Sequence, residues 1–296
     1  MNKEIILQHF RNLTVWKRSG ERAPHKPLLV LYALGKLLQN QSRMISYEEI
    51  DNNLDLLLRE FGPVRLNYRT EYPFWRLQND KLWEVSGADK VQLNKSGDPK
   101  KSDLINYRVA GGFPEHLYDM FQADKKLAFK IVQELLDSNF PSSIHEDILQ
   151  SVGIDPDSQR FEEKKRHPEF RENILRAYEY KCSVCGFDVR LGHFPIALEA
   201  AHIKWFQAGG PNTEVNGIAL CALHHKLFDR GAFTISDKMN ILVSTHANGT
   251  VGFQEWLMNF HGKKMTPPQR RDYCPDREFV EWHVSEVFRG EYRELN

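Results

Sequence analysis

Four side chains in the C-terminal half have the types and spacing of a metal knot. Cys182-x-x-Cys185 is followed, after 35 intervening residues, by Cys221-x-x-His224. Thiolates and an imidazole are the ligands of tetrahedral zinc, and short knuckles let each pair close locally on one ion. The interval is longer than in small fingers, so a whole hairpin must sit between the knuckles. The remaining cysteine, Cys274, reads as a free thiol. In a chain with no secretory pattern this usage favours metal over disulfides.

Between and beside the knuckles lie further groups able to do chemistry. Leu198 to Ile203 (LEAAHI) reads as a strand carrying His202. A Gly/Pro/Asn-rich turn (AGGPN) follows, then Asn216-Gly217, a short apolar strand ending at Cys221, and a helix starting near His224. Strand, turn, strand and helix held by zinc form a ββα-metal arrangement. The segments EAAHI, NGIALCALHH and HKLFDRG resemble the HNH nuclease family over roughly residues 170–240.

The resemblance implies phosphodiester hydrolysis, which needs a base to activate water and a cation to stabilise charge on the phosphate and leaving oxygen. It gives the base to His202, a competent one near pH 7 when neutral. Asn216 would orient that histidine through its amide, and His225 would be a ligand of the catalytic metal. The spacing from Cys221 favours His224 over His225 for zinc. His225 and Asp229 are four apart and share a helix face, so Asp229 is a candidate second ligand, with a salt bridge or turn cap as the competing reading. Many family members place an acidic ligand just before the catalytic histidine, where this chain has Ala201. Glu199 is a weak substitute, because strand alternation points it with Ala201, away from His202. A single Mg²⁺ or Mn²⁺ is expected.

The elements that position these groups belong to a chain of 296 residues, 41% apolar and 27% charged, which suits two soluble globular domains. The expected class is α+β: a helix-rich N-terminal DNA-recognition domain over residues 1–152, a polar linker over 153–167, and a zinc-stabilised ββα-metal nuclease domain over 168–296. Residues 3–16, 27–38, 46–58, 123–137 and 143–151 read as helices, Ser46 capping the third with Glu49 three residues on. Phe74 to Val85 alternates and reads as a hairpin around Asn79-Asp80. From Pro168 a helix runs to about Tyr180. Trp256, Tyr273, Trp282 and Phe288 are expected to pack a C-terminal helix onto the nuclease core. Neither a signal peptide nor a membrane span is visible, which predicts a cytoplasmic protein. Net charge is +0, yet residues 1–112 carry 18 Lys/Arg against 13 Asp/Glu. That excess suits a phosphate-bearing partner or an ordinary solvated surface.

Two N-terminal segments combine proline, rings and cations: Arg22-Ala-Pro-His25-Lys26-Pro27 and Glu71-Tyr72-Pro73-Phe74-Trp75-Arg76-Leu77. With Ala110-Gly111-Gly112-Phe113 they resemble, over roughly residues 5–150, the sulfur-binding domain that precedes HNH modules in phosphorothioate-dependent restriction endonucleases. The resemblance implies that double-stranded DNA with sulfur in place of one non-bridging phosphate oxygen is the target. Sulfur is larger and less well hydrated than oxygen, so an apolar cup favours it. Tyr72 and Pro73 are implied in the cup, with His25 and Lys26 close to the modified phosphate. Arg76 stands where a small residue is more usual, which leaves its role open, and walls made only of core aromatics are the bland alternative. Arg18, Arg22, Arg65 and Arg69 are base readers or phosphate anchors that the sequence does not separate.

Three functions compete at this point. The first is a type IV-like restriction endonuclease acting on phosphorothioate DNA, with a dimer suiting a double-strand cut made by one site per chain. The second is an HNH nuclease for another mark, such as methylcytosine, or for unmodified DNA. The third is a zinc-stabilised DNA-binding protein without catalysis, for which Ala201 is the one argument.

Overall fold

The computed structural model describes residues 3–13, 23–156 and 168–295, and the chain divides into two compact units, Met1–Glu162 and Glu163–Asn296. The first unit is built on helices α1 (Lys3–Arg11), α2 (His25–Leu38) and α3 (Tyr47–Phe61), with the two-residue strand β1 (Ile45–Ser46) leading into α3. Then come α4 (Glu71–Arg76), a single 3₁₀ turn at Leu77–Asp80, β2 (Glu84–Ser86), α5 (Lys101–Asn106) and β3 (Ala110–Gly112). Helices α6 (Glu115–Ala123), α7 (Lys125–Asn139) and α8 (His145–Ser151) complete it.

Helix α2 is apolar on nearly every side, as a helix enclosed by others must be, and Leu28, Leu29, Val30, Leu31 and Leu34 are fully buried. Ser46 caps α3 as its sequence predicts, its hydroxyl accepting from the Glu49 amide at 3.2 Å. The expected hairpin over 74–85 is instead α4, the 3₁₀ turn and β2. Phe74 and Leu77 are both fully buried at three-residue spacing, which puts them on one face of a helix and would have put them on opposite faces of a strand. The strand that pairs with β2 is β3, the middle of an antiparallel β1-β3-β2 sheet with Val85 opposite Gly111. A side chain at Gly111 would meet Trp83 and Phe74 at 2.5 and 2.7 Å, so glycine is what lets the strand lie against those rings. Helix α1 stops at Arg11, short of the expected residue 16, and residues 14–22 fall outside the described set. The expected linker begins too early: Ile154 is buried, and of that stretch 157–167 are not among the described residues.

The second unit opens with α9 (Pro168–Ala177), shorter than expected because Glu179 and Tyr180 take left-handed φ angles and turn the chain towards Cys182. A small hairpin, β4 (Arg190–Leu191) with β5 (Phe194–Pro195), precedes the ribbon of β6 (Leu198–His202) and β7 (Gly217–Cys221). Helix α10 (Ala222–Asp229) follows β7 directly. A second ribbon, β8 (Phe233–Ile235) with β9 (Ile241–Val243), then α11 (Val251–Trp256) and α12 (Arg277–Glu286), encloses the core. Trp282 and Phe288 are buried as expected, whereas Trp256 is 46% exposed and contributes its carbonyl rather than its ring. Among the described residues no helix is long and apolar enough to cross a membrane.

Candidate functional site

The β6–β7 ribbon pairs Leu198 with Cys221 at one end and His202 with Gly217 at the other. Metal knot and candidate base thus sit at opposite ends of one short scaffold. At the first end, ligand atoms of Cys182, Cys185, Cys221 and His224 all lie within 4.8 Å of one another. His224 Nδ1 is 3.1 Å from Cys221 Sγ and 3.7 Å from Cys182 Sγ, and Cys185 and Cys221 sulfurs are 4.0 Å apart. Zn–S bonds of about 2.3 Å place tetrahedral sulfurs roughly 3.8 Å apart, so the donor set fits zinc. His224 Nε2 donates to the Trp256 carbonyl at 2.9 Å, the outer hydrogen bond that fixes a metal-binding imidazole with Nδ1 towards the ion.

One residue further on, His225 meets a different environment. Its Nδ1 lies 2.5 Å from Glu199 Oε2 and its Nε2 lies 3.0 Å from Asp229 Oδ2. Burial works against a charge on this ring, but Asp229 and then Glu199 outweigh it and raise its pKa to about 9. Asp229 is also bound by Trp205 Nε1 through its other oxygen, at 3.2 Å. The i, i+4 pairing of His225 with Asp229 is as the helix predicts. Glu199 is not the outlier its strand position suggested: it turns away from His202, and that turn brings it to His225 on α10.

At the other end of the ribbon, His202 stacks on Phe170 of α9, ring centroids 3.9 Å apart at 13°. Gly217, its cross-strand partner, makes the approach of α9 possible, since a Cβ there would fall 2.2 Å from Ile174. The His202 Nε2 hydrogen goes to Asn212 Oδ1 at 2.8 Å. Asn216 does something other than orient the histidine directly. Fully buried, it accepts from the Lys204 amide at 2.8 Å and donates to the Lys204 and Pro211 carbonyls at 3.0 and 2.9 Å. Its amide therefore ties the two ends of the loop that leaves β6, because a buried amide beside unpaired backbone groups satisfies them first. Asn212, Phe170 and Trp205 are participants that residue-type reasoning missed. The Gly/Pro/Asn turn announced a loop but not which asparagine would reach the ring.

In the first unit His25 and Lys26 occupy the first turn of α2, while Tyr72, Pro73 and Arg76 lie on α4, which packs against α2. Three of the cations expected to meet DNA have acidic partners within the unit. Lys26 pairs with Asp80 at 2.5 Å, and Arg69 lies 3.6 Å from Glu71. Arg76 grips the buried Asp98 with two bonds of 2.6 Å and lies over the Tyr72 ring at 4.9 Å. Burial and the charge of Arg65 lower His25 to a pKa of about 4, so it is neutral at pH 7. Pro73 is buried rather than lining an open surface. Arg18 and Arg22 lie outside the described residues.

A helix-rich unit followed by a ββα unit with a Cys₃His cluster defines the class. The chain belongs to the ScoMcrA-like, DNA sulfur-binding domain family, whose profile matches residues 3–157, and the HNH endonuclease profile matches residues 182–236. Among solved structures, the sulfur-binding domain of ScoMcrA complexed with phosphorothioated DNA is 21% identical with a TM-score of 0.44, covering 50% of this chain and 94% of that one. The type IV phosphorothioation-dependent restriction endonuclease ScoMcrA is 22% identical with a TM-score of 0.44, over 58% of this chain and 38% of that one. The modification-dependent TagI restriction endonuclease is 25% identical with a TM-score of 0.30, over 40% and 38%. No curated protein matches the chain.

Proposed function

We propose that this protein is a modification-dependent DNA endonuclease, whose first unit selects phosphorothioate-bearing double-stranded DNA and whose second hydrolyses a phosphodiester nearby. The observation that carries the reading is the presence, in one chain, of a sulfur-binding-family unit and a ββα unit holding both a thiolate knot and a Glu199–His225–Asp229 cluster. Zinc in the Cys182, Cys185, Cys221 and His224 knot is the structural ion, and Mg²⁺ or Mn²⁺ at His225 is the catalytic one. That cation would stabilise charge on the scissile phosphate and on the leaving oxygen.

The chain's own groups supply the rest. His202 is the general base. Its Nε2 proton is committed to Asn212 Oδ1, so in the neutral ring Nδ1 is the basic nitrogen. Phe170 and Asn212 fix the ring plane, and Asn216 fixes the loop from which Asn212 reaches. Alternation along β6 sends Glu199 and His202 to opposite sides of the ribbon, so base and cation approach the phosphate from two directions. In the recognition unit, Tyr72 backed by Arg76 offers the apolar face for sulfur, with neutral His25 and the Lys26–Asp80 pair beside it. A neutral imidazole and a compensated lysine suit a soft, poorly hydrated atom better than bare charge does.

The test is a pair of matched plasmids, with and without phosphorothioate, incubated with the full chain and Mn²⁺. Cutting only the modified plasmid, lost in His202→Ala, is expected. Equal cutting of both removes the sulfur reading, and no cutting by wild type under any divalent metal removes the enzyme. Tyr72→Ala should reduce discrimination between the plasmids about tenfold while leaving nonspecific binding intact.

A further inference from the structure

We propose that Glu199 shares the catalytic cation with His225, and that Asp229, held by Trp205, is a positioning residue rather than a ligand. This rests on the nuclease reading above. His225 has a carboxylate on each ring nitrogen, at 2.5 Å on Nδ1 and 3.0 Å on Nε2. Only a nitrogen without a proton binds a metal, and the other then keeps its hydrogen for an orienting partner. One carboxylate must therefore be the ligand and the other the anchor.

Exposure decides which. The Asp229 side chain is 1% exposed and that of Glu199 is 31%. Asp229 also spends its second oxygen on the buried Trp205 indole. A cation beyond Nε2 would be walled off, whereas one that serves hydrolysis must keep positions for water and a phosphate oxygen. The open side is Nδ1. There the nitrogen and Glu199 Oε2 stand at the spacing of a shared proton. Neighbouring ligands on a hard cation of about 2.1 Å bond length sit roughly 3 Å apart. Nδ1 and Glu199 Oε2 would hold the cation between them, and the Nδ1 proton would be released to water on binding.

The assignment also accounts for Ala201. Residues 199 and 201 share a face of β6. The carboxylate absent at 201 is thus supplied from the same face, one repeat earlier, by a side chain long enough to reach α10.

The experiment is Mn²⁺ binding to the full chain without DNA, followed by electron paramagnetic resonance, with zinc content and thermal midpoint recorded alongside. Glu199→Gln is expected to weaken Mn²⁺ binding about 100-fold or more with zinc and midpoint unchanged. Asp229→Asn still offers an oxygen to Nε2–H and should cost no more than about tenfold. Trp205→Phe, which leaves the carboxylate in place but removes its indole donor, should cost less still and serves where Asp229→Asn fails to fold. The reverse ranking, equal loss in Glu199→Gln and Asp229→Asn, or a Glu199→Gln variant that binds like wild type overturns the assignment alone. Failure of wild type to bind Mn²⁺ overturns the metal-dependent reading with it.

Discussion

His224 turns Nδ1 towards three sulfurs while His225, the next residue, lies between Glu199 and Asp229. Successive residues of an α-helix diverge by about 100°, so one turn of α10 serves two chemistries. The first set of donors is soft, and its four atoms stand close enough together to enclose an ion on all sides. The second is hard, with one carboxylate still facing solvent. A closed set of four suits an ion that holds the fold, and an open set suits an ion that must meet substrate.

The largest effect expected from breaking this contrast falls on the knot. Binding of structural zinc is worth roughly 10–16 kcal/mol, and that free energy is folding free energy. Cys182→Ser should therefore strip zinc from the protein and abolish the cooperative thermal transition of the second unit. Elemental analysis and near-ultraviolet circular dichroism would show both losses. A zinc-free variant with an unchanged transition would mean that the knot is decoration and the contrast false.

Next in size is loss of the proposed base. His202→Ala should lower cleavage about 10²–10⁴-fold and leave zinc content, Mn²⁺ binding and DNA retention in gel shifts at wild-type levels. Asn212→Ala should lose a smaller factor and alter the pH profile of cleavage, because the ring is freed to exchange its tautomer. If Asn212→Ala cuts like wild type at every pH, the ring is held by something else.

Third comes the loop. Asn216→Ala leaves the Lys204 amide and two carbonyls without their partner inside the protein. An unsatisfied buried group costs about 1–3 kcal/mol, and thermal denaturation should record a loss of that order. Cleavage should fall with it, even well below the midpoint, since Asn212 hangs from the same loop. A stable Asn216→Ala enzyme with full activity would separate the two asparagines.

These three sites differ in how legible they were. The knot could be read from spacing, because ligands within a knuckle are neighbours in sequence and little else produces two such pairs. Ser46 and the His225–Asp229 pair followed from helix periodicity for the same local reason. What remained hidden was set by tertiary contact. Strand alternation correctly turned Glu199 from His202 but did not reveal that α10 would meet it there. Asn216 is placed by where the loop closes, and Phe170 by how closely α9 approaches Gly217. The aromatic segment from Phe74 to Val85 failed for a different reason: its alternation was read over the helical three-residue spacing of Phe74 and Leu77, and the strand that β2 pairs with is β3, whose Gly111 lies against Phe74 and Trp83.

A third histidine sharpens what the neighbours on α10 teach. His25 is half-buried where His225 is buried, and it faces Arg65 instead of carboxylates, so its pKa falls to about 4 while that of His225 rises to about 9. Burial disfavours charge in both, and the partner decides the sign of the net shift. The unfolded chain should titrate near 6.5, so between pH 6.5 and 4 the unfolded state binds the proton that folded His25 refuses. Stability therefore falls as pH drops through this window and is fully present above it. With His25 only partly enclosed, the loss from pH 7 to pH 5 should be about 1–2 kcal/mol. Thermal scans of the full chain at the two pH values, wild type against His25→Gln, isolate this share, because the variant carries no group titrating there. A wild type that loses no more than His25→Gln would show that the ring accepts its proton in the folded state, and that a half-buried histidine here needs no carboxylate to stay charged.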